Sequence, residues 1–437
     1  MSPITATGRR SPPPEAGAWP PSTRSVSCRI RPRTPTISSP PRTPDRPPLR
    51  ILFLAPQPFF EVRGTPLAVL AMTRALCELG HRVDLLTYPQ GEAVEVPGLV
   101  HHRSLRLPVG RVKAGPSLAK LALDLPFMAE AGWRMARGRY DVVHAVEEAA
   151  HLAAPLARLF GVPLVADVDS SIPDQLSHSR LAWGGILPRL ARSLEGHALR
   201  HAAAAVTVCR SLTDGVRAQA PRTPVFQVED PPLVDPAAAP DPREVDRLRA
   251  ALGLGRGPVV LYSGNFEPYQ GVELLLDAAG RVKGAQFVFM GGERREIEAM
   301  RARSVWAGAA ERCVFAGKRP PSELPAFLAL ADVVASPRRE GENTPFKVYT
   351  YMASGRPLVA TRIPTHTQLL DDSLAFLVEP TGEGLAAGIE AALADGAAAA
   401  RRAEKARALL EREYSPAHYL DKVKAAYDGV LCAIKKR

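Results

Sequence analysis

The sequence predicts a two-domain α/β protein in which each half is a doubly wound, mostly parallel sheet. Three observations carry that prediction. Short apolar runs alternate with helical patterns, which implies right-handed βαβ units. The alternation stops at a proline-rich stretch, Glu229–Arg243, and then begins afresh. The length of 437 residues is generous for one core and ordinary for two.

Composition bounds the class before any motif is read. With 46% hydrophobic and 23% charged residues the chain is globular. No run of about 18 apolar residues escapes charge or proline, so no transmembrane helix is expected. The net charge of +11 is unevenly spread: eight arginines against Glu15 and Asp45 give residues 1–49 a charge of +6. The remaining body is only mildly basic, and no specific nucleic-acid partner is expected. The five cysteines (Cys28, Cys77, Cys209, Cys313 and Cys432) show no CxxC pair and an odd count. They suggest neither a zinc site nor a disulfide framework, and fit a cytoplasmic protein.

Residues 1–49 are rich in Pro, Arg, Ser and Thr and lack an apolar pattern, so a disordered tail is expected. Order begins at Arg50. Strands are predicted at 51–55, 81–88, 141–146, 163–168 and 205–209, with a helix at 67–79 closed by Gly80. After the linker, strands follow at 259–262, 287–290, 313–316, 333–335, 358–360 and 376–378. This gives a first domain over 50–228, a linker over 229–256 and a second domain over 257–412. A C-terminal helical stretch over 413–437 is expected to pack back across the hinge. Segment Arg106–Arg139 interleaves Lys113, Lys120, Arg134, Arg137 and Arg139 with Leu118, Leu121, Leu125, Phe127, Met128 and Trp133. That pattern fits either a peripheral membrane contact or an ordinary half-buried surface helix.

Ligands of such folds lie in the cleft outside the carboxyl ends of the strands. Three loops are placed to line it. In the first, Gly64 lets backbone approach a ligand ahead of a helix N-terminus, with Arg63 beside it. The second runs from Tyr262 to Gly271, with Gly264 and Gly271 bracketing a turn. The third, from Ser336 to Gly355, carries Arg338, Glu340, Gly341, Glu342 and Asn343. It then reaches a helix expected to start near Thr344 or Pro345, with Thr344 as its cap. Lys347 in the first turn of that helix opposes the macrodipole, which is reasonable if it meets a bound anion.

The order of these features over residues 50–437 resembles the family-4 glycosyltransferases, retaining enzymes of the GT-B fold. The resemblance is carried by the loop around Gly64, the turn Leu79–Val83, the strand Tyr140–His144 and the turn Ser263–Leu275. The segment Met352–Gly355 with Pro357–Thr361 completes it. It implies two Rossmann-like domains facing across a cleft, and transfer of sugar from a nucleotide-diphosphate-sugar donor. Implied acceptors are a carbohydrate or a lipid-linked glycan, reached from the inner face of the membrane. No cofactor or metal is implied.

In that family two carboxylates eight positions apart flank the donor. The second falls here on Thr350; the first is Glu340 or Glu342. The family's cations in the Gly264–Gly271 turn are replaced by Asn265 and Gln270, and a departure from the family pattern is expected in which Lys347, Arg338 and Arg63 take over the diphosphate clamp. Tyr349 and Thr350 are expected near the ribose. Asp169 stands where the family often has a histidine by the reacting sugar, and His144, Glu147 and Asp167 are acceptor-side candidates. An epimerase of the same fold and a non-catalytic sugar-nucleotide-binding protein are the alternatives.

Overall fold

A computed structural model of the chain describes residues 47–59, 64–92, 94–108, 118–171, 186–235 and 239–435. The expected tail up to residue 46, the Arg63 candidate, Lys113 and the side chains of Leu118 and Leu121 lie outside the described residues. The tail boundary moves slightly: Leu49 is 8% exposed and its carbonyl accepts from the Arg82 N–H at 2.8 Å, so it belongs to the folded body.

The first half runs β1 (Arg50–Ala55), α1 (Gly64–Glu78), β2 (Arg82–Thr87), β3 (Leu99–Arg103), α2 (Leu118–Arg137), β4 (Val142–Val146) and α3 (Glu148–Leu159). It continues with β5 (Leu164–Val168), α4 (Ile186–His201), β6 (Ala204–Thr207), α5 (Arg210–Gln219) and β7 (Val225–Gln227). Helix α6 (Pro242–Ala251) follows within the expected linker, with Pro242 at its first position and the Asp241 side chain accepting from the Arg243 N–H. The second half runs β8 (Val259–Ser263), α7 (Val272–Arg281), β9 (Gln286–Met290), α8 (Arg294–Trp306), β10 (Cys313–Gly317), α9 (Leu324–Leu330) and β11 (Val333–Ser336). Then come α10 (Phe346–Ala353), β12 (Leu358–Thr361), α11 (Pro364–Thr367), β13 (Phe376–Val378), α12 (Gly382–Ala394), α13 (Gly396–Glu413) and α14 (Pro416–Lys435).

Both sheets are parallel, ordered β3-β2-β1-β4-β5-β6-β7 and β10-β9-β8-β11-β12-β13. The second is the 3-2-1-4-5-6 arrangement and the first extends it by a seventh strand, with the switch points between β8 and β11 and between β1 and β4. Helices cover both faces, so the central strands are apolar without alternation: β4 and β5 are buried at every residue.

The chain crosses between the halves twice. After α13 it returns, and α14 lays Tyr419, Val423, Ala426, Tyr427 and Val430 into the core around β1 and α1. Close contact is made possible by Gly429, where a Cβ would lie 2.1 Å from the Phe226 ring.

Helix α2 buries part of its apolar face in the first half. Phe127 is fully buried and Met128 packs against the core. Of the described apolar side chains, Leu125 and Trp133 stand out, at 76% and 49% exposed. Lys120 is turned inward onto Glu148 and Arg134 is paired with Glu130. Among the described residues no helix is long and apolar enough to cross a membrane.

Candidate active site

The halves meet across a cleft where loops after β5 and β6 of the first approach the loop after β11 of the second. On the second half, β8 ends in Gly264 at φ +144°, where a Cβ would sit 2.7 Å from Lys347 Nζ. Only glycine leaves the ammonium this room. Lys347 Nζ donates to Gln270 Oε1 at 2.9 Å and lies 4.0 Å over the Tyr262 ring. Asn265 accepts from the Tyr262 hydroxyl through its carbonyl, holding that ring in place.

After β11, Arg338 is 7% exposed. Its Nε donates to the Glu340 carbonyl at 2.8 Å, its Nη2 to Asn343 Oδ1 at 2.9 Å, and it lies over the Tyr269 ring. Gly341, at φ +127°, is again required, since a Cβ would fall 2.2 Å from Arg338 Nη2. Among the described residues neither Arg338 nor Lys347 forms an ion pair. Burial lowers the pKa of both, and the Arg338 charge adds to the depression of Lys347. Two desolvated cations satisfied only by neutral acceptors make a site for an anion.

The loop is braced from behind by His366, a residue the sequence reading did not single out. Burial drives its pKa down to about 4, so the ring is neutral. Nδ1–H then donates to the Thr361 carbonyl at 2.8 Å and Nε2 accepts from Ser336 Oγ at 2.9 Å. The Thr361 hydroxyl donates in turn to the Arg338 carbonyl.

Helix α10 starts at Phe346 with Pro345 before it and no side-chain cap. Thr344 is therefore not the cap expected from the sequence. The first N–H groups of α10, the helix that carries Lys347 in its first turn, therefore have no side-chain cap. Thr350 is 1% exposed and its hydroxyl accepts from the Leu233 N–H at 3.1 Å, while Tyr349 is buried with its ring 5.3 Å from Tyr414. Both face the linker and the α13–α14 turn, so a ribose contact is not what holds them in place. Glu340 and Glu342 are both exposed at the loop tip.

On the first half, His144 is fully buried and stacked 4.3 Å from Phe53. Its Nδ1 lies 2.8 Å from the Tyr427 hydroxyl and its Nε2 2.8 Å from Asp167 Oδ2. It does not face an acceptor; it connects α14 to Asp167. Glu147 has φ +50°, alone among the described non-glycine residues, and its carboxylate accepts from Ser170 Oγ at 2.6 Å. Strain of this kind at a switch point commonly accompanies function. Asp169 is 7% exposed, and its carboxyl is pushed well above the ordinary range by burial and by the charges of Asp167, Glu147 and Asp230. Asp230, hidden in the proline-rich linker, is pushed up to about 8 by burial and by Asp167 and Glu229.

The halves touch through the same loops. Asn343 Nδ2 donates to the Asp169 carbonyl at 3.2 Å, and Gln368 bridges the Ser211 N–H and the Glu342 carbonyl. Cys209 Sγ donates to that carbonyl at 3.8 Å. The cleft thus has a cationic wall from β8, β11 and α10 facing a carboxyl-rich wall from β4, β5 and the linker.

Two family models match the chain. Residues 63–231 match the family described as glycosyl transferase 4-like domain, and residues 257–395 match glycosyl transferases group 1. A 2-deoxystreptamine glucosyltransferase of Streptomyces kanamyceticus is 27% identical over 399 residues, covering 83% of this chain and 98% of that one. A phosphatidyl-myo-inositol mannosyltransferase of Mycobacterium leprae is 25% identical over 364 residues, covering 81% and 88%. Among solved structures, Anabaena HepE in complex with UDP-glucose superposes with a TM-score of 0.69 at 18% identity, covering 87% of this chain and 99% of that one. The two curated relatives are transferases, which gives the epimerase and binding-protein alternatives no support.

Proposed function

Because the chain belongs to the GT-B glycosyltransferases, with a 4-like first half and a group 1 second half, we propose that it transfers a hexosyl group with retention and without a metal. The donor is a nucleoside-diphosphate sugar, and the acceptor is a hydroxyl of a carbohydrate or lipid-linked glycan. The observation that carries this reading is the pair of desolvated, unpaired cations, Arg338 and Lys347, beside the open N-terminus of α10.

The reaction loads negative charge onto the departing diphosphate. Preorganised cations and N–H groups aimed at that position stabilise it without reorganisation. Gly264 and Gln270 hold the Lys347 ammonium, while Gly341 and Asn343 hold the Arg338 guanidinium. The exposed loop carboxylates Glu340 and Glu342 swing onto the sugar hydroxyls. The acceptor hydroxyl enters from the Asp169 side and attacks the face that the diphosphate leaves. The setting is cytoplasmic, and α2 is read as a structural helix of the first half, not as a membrane anchor.

Thermal-shift titration of the full chain with UDP-glucose, GDP-mannose and ADP-glucose, in EDTA, tests the proposal. One donor should raise Tm by mass action. Arg338→Ala and Lys347→Ala should each remove the shift and lower kcat by about 10²–10³-fold. No shift with any donor would overturn the assignment.

A further inference from the structure

The first half is covered unequally on its two sides. Helix α14 packs over the side formed by β1 and α1 and fills it with buried side chains. The opposite side is closed by α2, α3 and α4, neighbouring helices whose inner faces build one core. Their outer faces are not covered in the same way. Of the twelve exposed large apolar side chains among the described residues, seven lie on these three helices or just after α3. Five of them are Leu152, Leu159 and Phe160 at α3 and Leu190 and Leu194 on α4. Single exposed apolar residues need no explanation, but their concentration on one layer marks an interaction surface.

Charge is distributed as unevenly. The carboxylates of α3 and α4, Glu148 and Glu195, turn inward, Glu148 onto Lys120. The arginines these helices expose are Arg158, Arg189, Arg192 and Arg200, with no exposed carboxylate among the described residues of either helix. On α2, Leu125 and Trp133 border the same layer, and Trp133 lies under the guanidinium groups of Arg134 and Arg137.

From this layer of leucines set among arginines we infer that the outer face of α2, α3 and α4 docks on an anionic lipid bilayer. The inference goes beyond sugar transfer and does not depend on it. A bilayer interface takes apolar side chains at any spacing, and arginine stems lie along apolar surface while their charged ends stay among headgroups. Negative headgroups supply the charge that these helices lack. A second copy of the chain would set the same arginines against one another. The contact is spread over three helices, so none of them is an anchor by itself, and none is long and apolar enough to span the bilayer. Helix α3 begins at Glu148, directly after the strained Glu147 of the cleft wall. The docked face thus adjoins the acceptor wall; on the transfer reading, a lipid-linked hydroxyl arrives from that side.

Flotation of the full chain with vesicles, without donor or acceptor, tests the docking and leaves the transfer reading to its own experiment. The probes are pure phosphatidylcholine and an equal mixture of phosphatidylcholine and phosphatidylglycerol. Affinity for the mixed vesicles should exceed that for the neutral ones by at least about tenfold and should fall with added salt. Arg158→Glu with Arg189→Glu should lower it by about tenfold or more, and so should Leu159→Ser with Leu194→Ser. All four positions are exposed, so Tm should change little, which separates a lost contact from a lost fold. The arginine-rich residues 1–49 are the same in every variant, so binding that survives both pairs belongs to that segment and overturns the inference. Trp306→Ser, at the most exposed apolar side chain of the second half, should leave binding unchanged; a loss there would move the contact to the second half and equally overturn it. Failure to bind either vesicle, or equal binding to both, would do the same. A chain that ignores both vesicles but sediments as a dimer, dissolved by the leucine pair, would reassign the face to a second copy.

Discussion

Lys347 shows how a single residue can be costly in the resting chain and useful in the loaded one. Its ammonium is desolvated, stands at the positive end of α10 and feels Arg338 nearby, so its pKa is held well below the usual lysine value. A bound diphosphate reverses these effects and raises the pKa, so donor binding should draw in a proton. Calorimetry of donor binding in buffers of different ionisation enthalpy should report net uptake that disappears in Lys347→Met; heats independent of the buffer would contradict the assignment. The same variant removes a half-buried amine held against Arg338 and the Tyr262 ring and should raise the Tm of the unliganded chain, by roughly 1 kcal/mol in stability. Asp230 has the opposite sign. Its folded value lies near 8 against 3.8 in the unfolded chain, so the fold keeps a proton that the unfolded chain has released. Its contribution is full below the unfolded value and is lost as pH rises toward 8. The Tm of Asp230→Asn relative to the parent should therefore climb between pH 5 and pH 8. Lys347 and Arg338 were legible in the sequence because cations in a loop that enters a helix are conspicuous. Asp230 was not, because a carboxylate among linker prolines carries no pattern, and its environment is supplied by distant β5.

At the scale of elements, what could be read was what burial enforces. Central strands buried on both faces appear as unbroken apolar runs, and every predicted run falls on a strand. The two missed strands are edges: β3 carries His101, His102 and Arg103, β7 ends in Gln227, and both are half-exposed. A half-wet strand three to five residues long resembles a loop in composition. The role of α14 depends on contacts no local pattern encodes. Its Tyr427 hydroxyl completes the path through His144 to Asp167. Tyr427→Phe leaves the His144 Nδ1 buried without its partner, which should cost about 1–3 kcal/mol. If the path also orients Asp167, kcat should fall while the donor KM stays near its parent value. A loss of stability with unchanged kcat would show that the path only anchors α14.

For the whole molecule, the balance between an open and a closed cleft rests on few contacts. The crossing strands are tied at the hinge, where Lys422 meets Glu229 at 2.6 Å and Leu233 is bonded to Thr350. Across the cleft mouth the side-chain links among the described residues are few: Gln368 to Ser211, Asn343 to Asp169, and the Cys209 thiol to Glu342. Each hydrogen bond is worth about 0.5–1.5 kcal/mol net, so a donor contacting both the loop and the cationic wall can shift the balance with modest differential affinity. Gln368 touches no candidate catalytic side chain, which makes it a clean probe of closure. Gln368→Ala removes one link between the halves, to Ser211, and the brace that holds Glu342 in place, and should move the closed-to-open ratio by roughly tenfold or less. Small-angle scattering should show a larger radius of gyration for the unliganded variant, converging on the parent value once donor is bound. Because closure is then driven by donor alone, the donor KM should rise by a similar factor while kcat at saturation changes little. An unchanged radius and KM would mean that the hinge ties, not the mouth contacts, hold the two walls together.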